Sequence, residues 1–431
     1  MAQLEKGSKK LLNAWAFYDW ANSVYSLVIA SAVFPIFYDA IFSDRHLTHI
    51  SIFGTSVKST ALISFVTAFA FLMVAFISPL LSGIADYSGN KKSFLKLFCY
   101  VGAVSCIGLY WFDLDNIYWS LVYYFFGLIG FWGSLVFYNS YLPDVAYPNQ
   151  QDAVSAKGYS MGYIGSVILL IINLAMVMMA EEGQPQINAM RWSFVSVGVW
   201  WIVFSQYTYY YLPKGNKPAN KVTGDVMLNG FRELRKVWEQ LKHNLSLKRY
   251  LGAFFVYSMA VQTVMLVATY FGAEEIQWGE GEKQMGLIIS ILLIQLVAVV
   301  GAIITSRLSA KYGNIKTLIG INFIWAIICI AAFFVTLPVH FYVTAGFVGL
   351  VMGGIQSLSR STYSKMLPET NDTASFFSFY DVTEKIGIVI GMVLYGAIDQ
   401  YFGSMRYSVI FLTLFFLIGI VLLFRVPKKL T

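Results

Sequence analysis

Twelve apolar runs of about 20 residues recur along the chain. They are centred near Val28, Phe71, Val104, Phe126, Leu170, Trp201, Val261, Leu293, Ile324, Val348, Val389 and Phe415. A run of that length crosses the roughly 30 Å hydrocarbon core of a bilayer as an α-helix, whereas a spanning strand needs only about ten alternating residues. The chain is 58% hydrophobic and 12% charged, about half the charge of an ordinary soluble domain. So much apolar surface cannot be hidden around a water-soluble core, and an all-α membrane protein with twelve transmembrane helices is expected. The first run is not a cleaved signal peptide: it is too long, it contains Asp19, and no small-x-small site follows. Cys99, Cys106 and Cys329 fall inside expected helices, which argues against a disulfide framework. His46 and His49 stand in a loop without a partner set, so neither a metal nor any other cofactor is expected.

Lysine and arginine sort by side. If both termini share one side, alternate segments on that side hold 24 of the 30 Lys and Arg, among them Lys91, Lys92, Lys157, Lys365 and nine between Lys214 and Arg249. The opposite side holds Arg45, Lys58, Arg191, Lys283 and Arg406, and Lys385 lies within a helix. The positive-inside rule then puts both termini in the cytoplasm. The net charge of +7 follows from this bias and gives no reason to expect nucleic acid as a partner.

The longest loop divides the chain into six runs and six. The expected organisation is a first six-helix bundle over 1–212, a cytoplasmic linker over 213–248 and a second six-helix bundle over 249–431. Within the linker, Val226, Phe231, Leu234, Trp238 and Leu241 share one helical face, which suits a helix lying on the membrane surface. The halves also echo each other. SGIADYSGNKK (Ser82–Lys92) matches SRLSAKYGNIK (Ser306–Lys316), Leu142-Pro143 matches Leu367-Pro368, and Ile164-Gly165 matches Ile386-Gly387, at offsets of 222 to 225. Duplicated halves of this kind flank a midplane site in secondary transporters.

The stretch from Gly83 to Lys92 resembles the G-x-x-x-D-x-x-G-x-[RK] loop of the major facilitator superfamily. YDWANSVYS, FYNSYLPD, GYSMGYIG, GGIQSLSRS and FFSFYDVTEK stand in the order seen in one branch of that superfamily. The branch is named for the vacuolar amino-acid effluxers of autophagy, and its bacterial members are mostly of unknown substrate. The resemblance covers nearly the whole chain. It implies two pseudo-symmetric six-helix bundles, transport without enzymatic chemistry, and location in a bacterial inner membrane. One departure stands out: the branch has Tyr-x-Asp-Gly in its seventh helix, and here Tyr257-Ser258-Met259-Ala260 takes that place.

A carboxylate at a helix centre costs about 2.5–3.5 kcal/mol on insertion scales, so intramembrane acids face a cavity or a partner. Asp19, Asn22, Ser23 and Ser26 share a face of the first helix. Asp19 therefore either looks into a central cavity or is pinned by a cation as a gate. In the eleventh helix Asp381, Glu384 and Lys385 sit at i, i+3 and i+4 and can pair. Lys385 either serves coupling or merely neutralises Asp381. Arg360, near the inner end of the tenth helix, either bridges helices when the inner side is shut or belongs to the positive-inside bias. Asp86, by Gly89, is expected to cap and latch helix ends, and Ala310 replaces it in the second copy. Asp19, Asp86, Arg360, Asp381, Glu384 and Lys385 are thus the coupling or gating candidates. Substrate contacts are expected from the first, fourth, fifth, seventh, tenth and eleventh helices, through Asn22, Tyr25, Tyr138, Asn139, Tyr163, Gln262, Gln356 and Tyr380. Gly162, Gly165, Gly387, Gly391 and Gly396 are spaced for close helix approach, read as sliding contact between the halves.

The chain lacks a Walker-type loop, a nucleotide-binding domain and any Ser-His or Cys-His pair on its helices, so an enzyme or primary pump is not expected. The expected function is secondary active transport of a small organic solute, an amino acid or related metabolite, by proton-coupled alternating access. The alternatives are a larger amphiphile such as a lipid or cell-wall fragment, and a non-transporting membrane receptor. The expected partners are a small-molecule substrate, membrane lipid and protons, with the protein a monomer.

Overall fold

The computed structural model describes residues 4–213, 226–279 and 282–427. Its first helix, α1 (Lys9–Asp44), is continuous over 36 residues. Its middle, Tyr25–Val33, is wound as a π-helix. Pro35, just beyond, has no N–H to donate back into the preceding turn, and within the π-wound stretch Ser31 Oγ donates to the carbonyl of Ser26, five residues back, at 2.9 Å. The chain continues through α2 (Ser59–Ser88), α3 (Lys91–Gly108), α4 (Ile117–Ser140), α5 (Pro148–Met178) and α6 (Gln184–Tyr211). After the linker helix α7 (Val226–His243) come α8 (Leu245–Glu275), α9 (Glu282–Tyr312), α10 (Asn314–Phe334), α11 (Pro338–Met366), α12 (Thr373–Phe402) and α13 (Met405–Phe424).

Among the described residues, eleven helices are long and apolar enough to cross a membrane. The twelfth expected span, α12, is equally long at 30 residues, but Asp381, Glu384 and Lys385 interrupt its apolar run. The all-helical, twice-six arrangement read from the sequence is the observed one. A hairpin of β1 (His49–Ile52) and β2 (Thr55–Lys58) joins α1 to α2, with Ile52 paired to Thr55 across a Phe53-Gly54 turn. The sequence reading had only a loop there.

The helices pack around two apolar cores. One gathers Trp15, Tyr18, Tyr138 and Trp201 from α1–α6, and the other gathers Tyr250, Tyr257, Trp325 and Tyr363 from α8–α13. Each core takes a residue from the opposite set: Tyr163 of α5 joins the second and Ala374 of α12 joins the first. The duplicated loops both turn at a glycine of positive φ, Gly89 (65°) and Gly313 (86°), before Asn90 and Asn314, but ψ values of 24° and 153° send them along different paths. Only glycine enters that region without strain.

The linker helix packs through a different stripe from the expected one. Residues 214–225, the side chain of Val226, and Lys428 and Lys429 lie outside the described residues. Val237 and Leu241 are buried while Phe231 and Trp238 are 55% and 51% exposed. The packed stripe is therefore Leu234–Val237–Leu241, not Phe231–Leu234–Trp238–Leu241. The helix packs on α2, its Val237 and Leu241 join the second core, and it reaches α12 by Lys236–Asp372 at 2.9 Å and Trp238 against Phe379.

Candidate functional site

Both chain ends lie at one end of the bundle. Gly7 N–H donates to Val145 O between α4 and α5, and Arg249 bonds the carbonyl of Arg425. At this termini end the two sets of helices are tied together. Asp86, at the end of α2, accepts the backbone N–H groups of Ala374 (3.3 Å) and Ser375 (2.7 Å), and so caps α12 from across the seam. Lys91 pairs with Asp144 and donates to Thr373 Oγ1. In the second copy the acid comes from the opposite side: Asp152 of α5 accepts from Lys365 (2.6 Å), Asn314 (2.9 Å) and Ser309 (3.0 Å). The latch lost at Ala310 is replaced by a different one.

Deeper along the seam lies the Arg360–Asp19 pair. Asp19 is ten residues into α1, about 15 Å along its axis. Its Oδ2 accepts from Arg360 Nη2 at 3.1 Å and from the Tyr138 hydroxyl at 2.8 Å. Arg360 also donates to Ser155 Oγ and O and to Asn139 Oδ1. Its guanidinium lies against the rings of Tyr159 (4.2 Å), Trp15 (4.8 Å) and Tyr138 (5.4 Å). An ion pair this dry holds only because nearly every donor has an acceptor. The cation that pins Asp19 is thus Arg360, not Lys385. Gly158 makes room for the pair, since a Cβ there would collide with Asp19 Oδ2.

Beside this pair lies a polar cavity walled by α8, α11 and α12, with Tyr159 of α5 closing one side. Its lining includes Tyr257, Ser258, Gln262, Gln356, Ser359, Tyr380 and Glu384. Its volume is ≈ 20 Å³, enough for about one water. Gln262 donates to Glu384 Oε1 at 2.7 Å, and the Tyr163 hydroxyl donates to Gln356 Oε1 at 2.7 Å across the seam. Lys385 Nζ lies 3.0 Å from both Asp381 and Glu384 and 3.6 Å from the Trp132 ring centre of α4.

Gln262, Gln356, Tyr380 and Glu384 thus line the cavity, Tyr163 borders it, and Tyr138 and Asn139 belong to the ion-pair network. Tyr25 and Asn22 do not join them. The Tyr25 ring stacks on Phe131 at 4.9 Å inside the first core, and Asn22 is buried with Ser23 Oγ donating to its Oδ1. The π-wound stretch that begins at Tyr25 changes the register of Tyr25 and Ser26 relative to Asp19. Sequence reasoning missed Ser155, Tyr159, Tyr257, Ser258 and Ser359. Tyr159 and Tyr163 at i, i+4 were the available signal. The glycine reading is also corrected: Gly162 and Gly165 meet α1, Gly387 and Gly391 meet α8, and Gly396 meets nothing within 4 Å. These close approaches lie within one set of helices.

At the far end, the ion pairs among the described residues stay within one set. Arg45 bonds Asp113 and Asp115, Arg191 meets Asp113, and Arg406 bonds Glu275. The hydrogen bond from Arg45 holds the Asp115 carboxyl below its usual range. The seam is thus locked by ion pairs at the termini end and unlocked by them at the other.

Comparison with known proteins agrees with this architecture. The family described as "Vacuole effluxer Atg22 like" matches residues 7–429. The "Uncharacterized MFS-type transporter YxiO" of Bacillus subtilis (strain 168) is 31% identical over 427 residues, covering 97% of this chain and 95% of the relative. "Autophagy-related protein 22-1" of Penicillium rubens is 21% identical, covering 97% and 90%. Among solved structures, the major facilitator transporter FucP in its outward conformation superimposes with a TM-score of 0.70 at 12% identity, over 97% of this chain and 99% of that one. These relatives and neighbours are transporters rather than enzymes, and the protein is a multi-pass membrane transporter. The chain belongs to the Atg22-like vacuole effluxer family of the major facilitator superfamily.

Proposed function

We propose that the protein is a secondary active transporter that moves a small organic solute, an amino acid or related metabolite, by proton-coupled alternating access. The halves, 1–212 and 249–431, rock about the seam while the linker 213–248 joins them on the cytoplasmic side. The observation that carries this reading is the buried Arg360–Asp19 pair, which bridges the halves between the termini-end latches and a small polar cavity. Opening the termini end must break that pair, and proton uptake by Asp19 removes the anion that holds Arg360 in place. The solute enters from the far end, where no ion pair among the described residues bridges the seam, and contacts Gln262, Gln356, Tyr380 and Glu384. Lys385 with Asp381 and Glu384 tunes the charge of that wall.

The positive-inside bias of the loops supports cytoplasmic termini, and membership of this family supports an amino-acid-like solute in a bacterial inner membrane. The test has two stages. Thermal stabilisation against a metabolite library identifies ligands, and reconstituted vesicles with an imposed pH gradient then measure their flux. Asp19→Asn should still bind but lose accumulation driven by the gradient. Wild-type accumulation with unchanged pH dependence in Asp19→Asn would make Asp19 purely structural.

A further inference from the structure

The flank of α5 that faces away from the seam carries a groove with no part in the site above. At 100° per residue, Lys157, Met161, Ile164 and Ile168 lie opposite Tyr159 and Tyr163, which meet Arg360 and Gln356. The groove encloses ≈ 270 Å³ between Asn13 and Phe17 of α1, Lys157 and Met161 of α5, and Tyr207 of α6. Lys157 donates to Asn13 Oδ1 at 2.6 Å, and among the described residues no carboxylate lies within ion-pair distance of it. An ammonium has three donors, so two remain for a ligand. Lys10, nearer the chain end, stands 4.5 Å from the Tyr211 ring centre. Farther from the termini, both walls become apolar ridges: Ile164 and Ile168 on α5, Val203 and Val199 on α6, each 39–56% exposed.

We propose that this groove binds a glycerophospholipid with an anionic headgroup, drawn from the leaflet at the termini end. The phosphate sits against Lys157 and Asn13, Phe17 and Met161 form the floor, and an acyl chain follows the two ridges. The occupant follows from charge and shape. A cation without an acid at one end of an apolar, membrane-facing track matches the two ends of such a lipid, and basic pockets between helices near a membrane surface take acidic headgroups. The volume suits a headgroup and not two chains, which is why the ridges outside it matter. The proposal is independent of what the seam transports.

The test uses the full chain in a neutral detergent, with its thermal unfolding midpoint titrated by phosphatidylglycerol, phosphatidylcholine or inorganic phosphate. Phosphatidylglycerol should raise the midpoint well above the phosphatidylcholine curve, and phosphate should not. Lys157→Gln should need about fivefold more phosphatidylglycerol for the same rise, the factor equivalent to ~1 kcal/mol per lysine at a membrane surface. Lys157→Arg should restore the response, and Lys316→Gln, at an exposed lysine of the same bundle end, should leave it unchanged. Met161→Trp fills the groove without altering charge and should also suppress the rise, so the test survives if Lys157→Gln unfolds. An unaltered titration in both Lys157→Gln and Met161→Trp would overturn the proposal. So would equal responses to the two lipids, or a rise produced by phosphate alone, which would make the ligand a soluble anion.

Discussion

Removing one member of the Arg360–Asp19 pair should cost the closed termini end more than removing both. The side chains are 2% and 6% exposed, so solvent does not screen a charge left behind. In Arg360→Met, Asp19 keeps only the Tyr138 hydroxyl. In Asp19→Asn, Arg360 keeps Ser155, Asn139 and three aromatic rings, but no anion. Orphaning a buried charge costs about 3–5 kcal/mol, whereas replacing a whole buried pair by apolar groups is often neutral or better. At about 1.4 kcal/mol per tenfold, each single variant should lower the closed-to-open ratio by roughly two to three and a half powers of ten. Asp19→Leu with Arg360→Met should recover most of it. The assay is a pulsed electron-electron distance measurement between spin labels at Asn149 and Glu369, exposed positions at the termini end on opposite sides of the seam. Single variants should populate longer distances and the double variant the short one. In Arg360→Met the opening should shrink at low pH, because a protonated Asp19 is no longer an orphan charge. Asp19→Asn has no such escape. Short distances in both singles, or a double variant as open as either, would refute this account of the seal.

Gly158→Ala puts a methyl where Asp19, Arg360 and Tyr138 meet. Overpacking of about 1–3 kcal/mol should open the same spin-label pair, whereas Gly252→Ala, with nothing within 4 Å, should not. Asp86→Ala uncaps the start of α12 across the seam and should cost the closed state about 0.5–2 kcal/mol, read as a lower thermal midpoint and a longer distance. At the far end, the Arg45–Asp115 tether has a depressed carboxyl pKa, so its contribution is present above the ordinary value of 3.8 and lost as pH falls through the lowered one. The protection factor of the 49–58 hairpin, taken against the intrinsic exchange rate at each pH, should therefore fall in acid, and Arg45→Gln should abolish that fall.

The spans, their division six and six, and the helices that build the site were legible because each leaves a pattern that burial enforces. Lipid demands 20-residue apolar runs, and an acid such as Asp19 stands out within one. The partner of Asp19 was not legible. Arg360 and Lys385 both satisfied the charge argument, and only packing separates them. Tyr159 and Tyr257 were hidden by abundance in a chain with 28 tyrosines, where identity alone says nothing about direction. Glycine spacing announced close approach to some neighbour without naming it, and Gly162 and Gly391 turned out to face helices of their own set. The stripe on α7 was misplaced by one position because Val237 and Trp238 are both apolar, and packing buried the smaller.

That seat on α7 bears on biogenesis. The helix is synthesised after six spans and well before Asp372 and Phe379, two of the residues it finally touches. Until α12 emerges it has α2 and then α8 to rest on, with Phe231 and Trp238 turned outward. The Lys236–Asp372 bond therefore cannot form before the eleventh span begins to emerge, by which time Arg360 and Lys365 of the tenth are already available to pair with Asp19 and Asp152 across the seam.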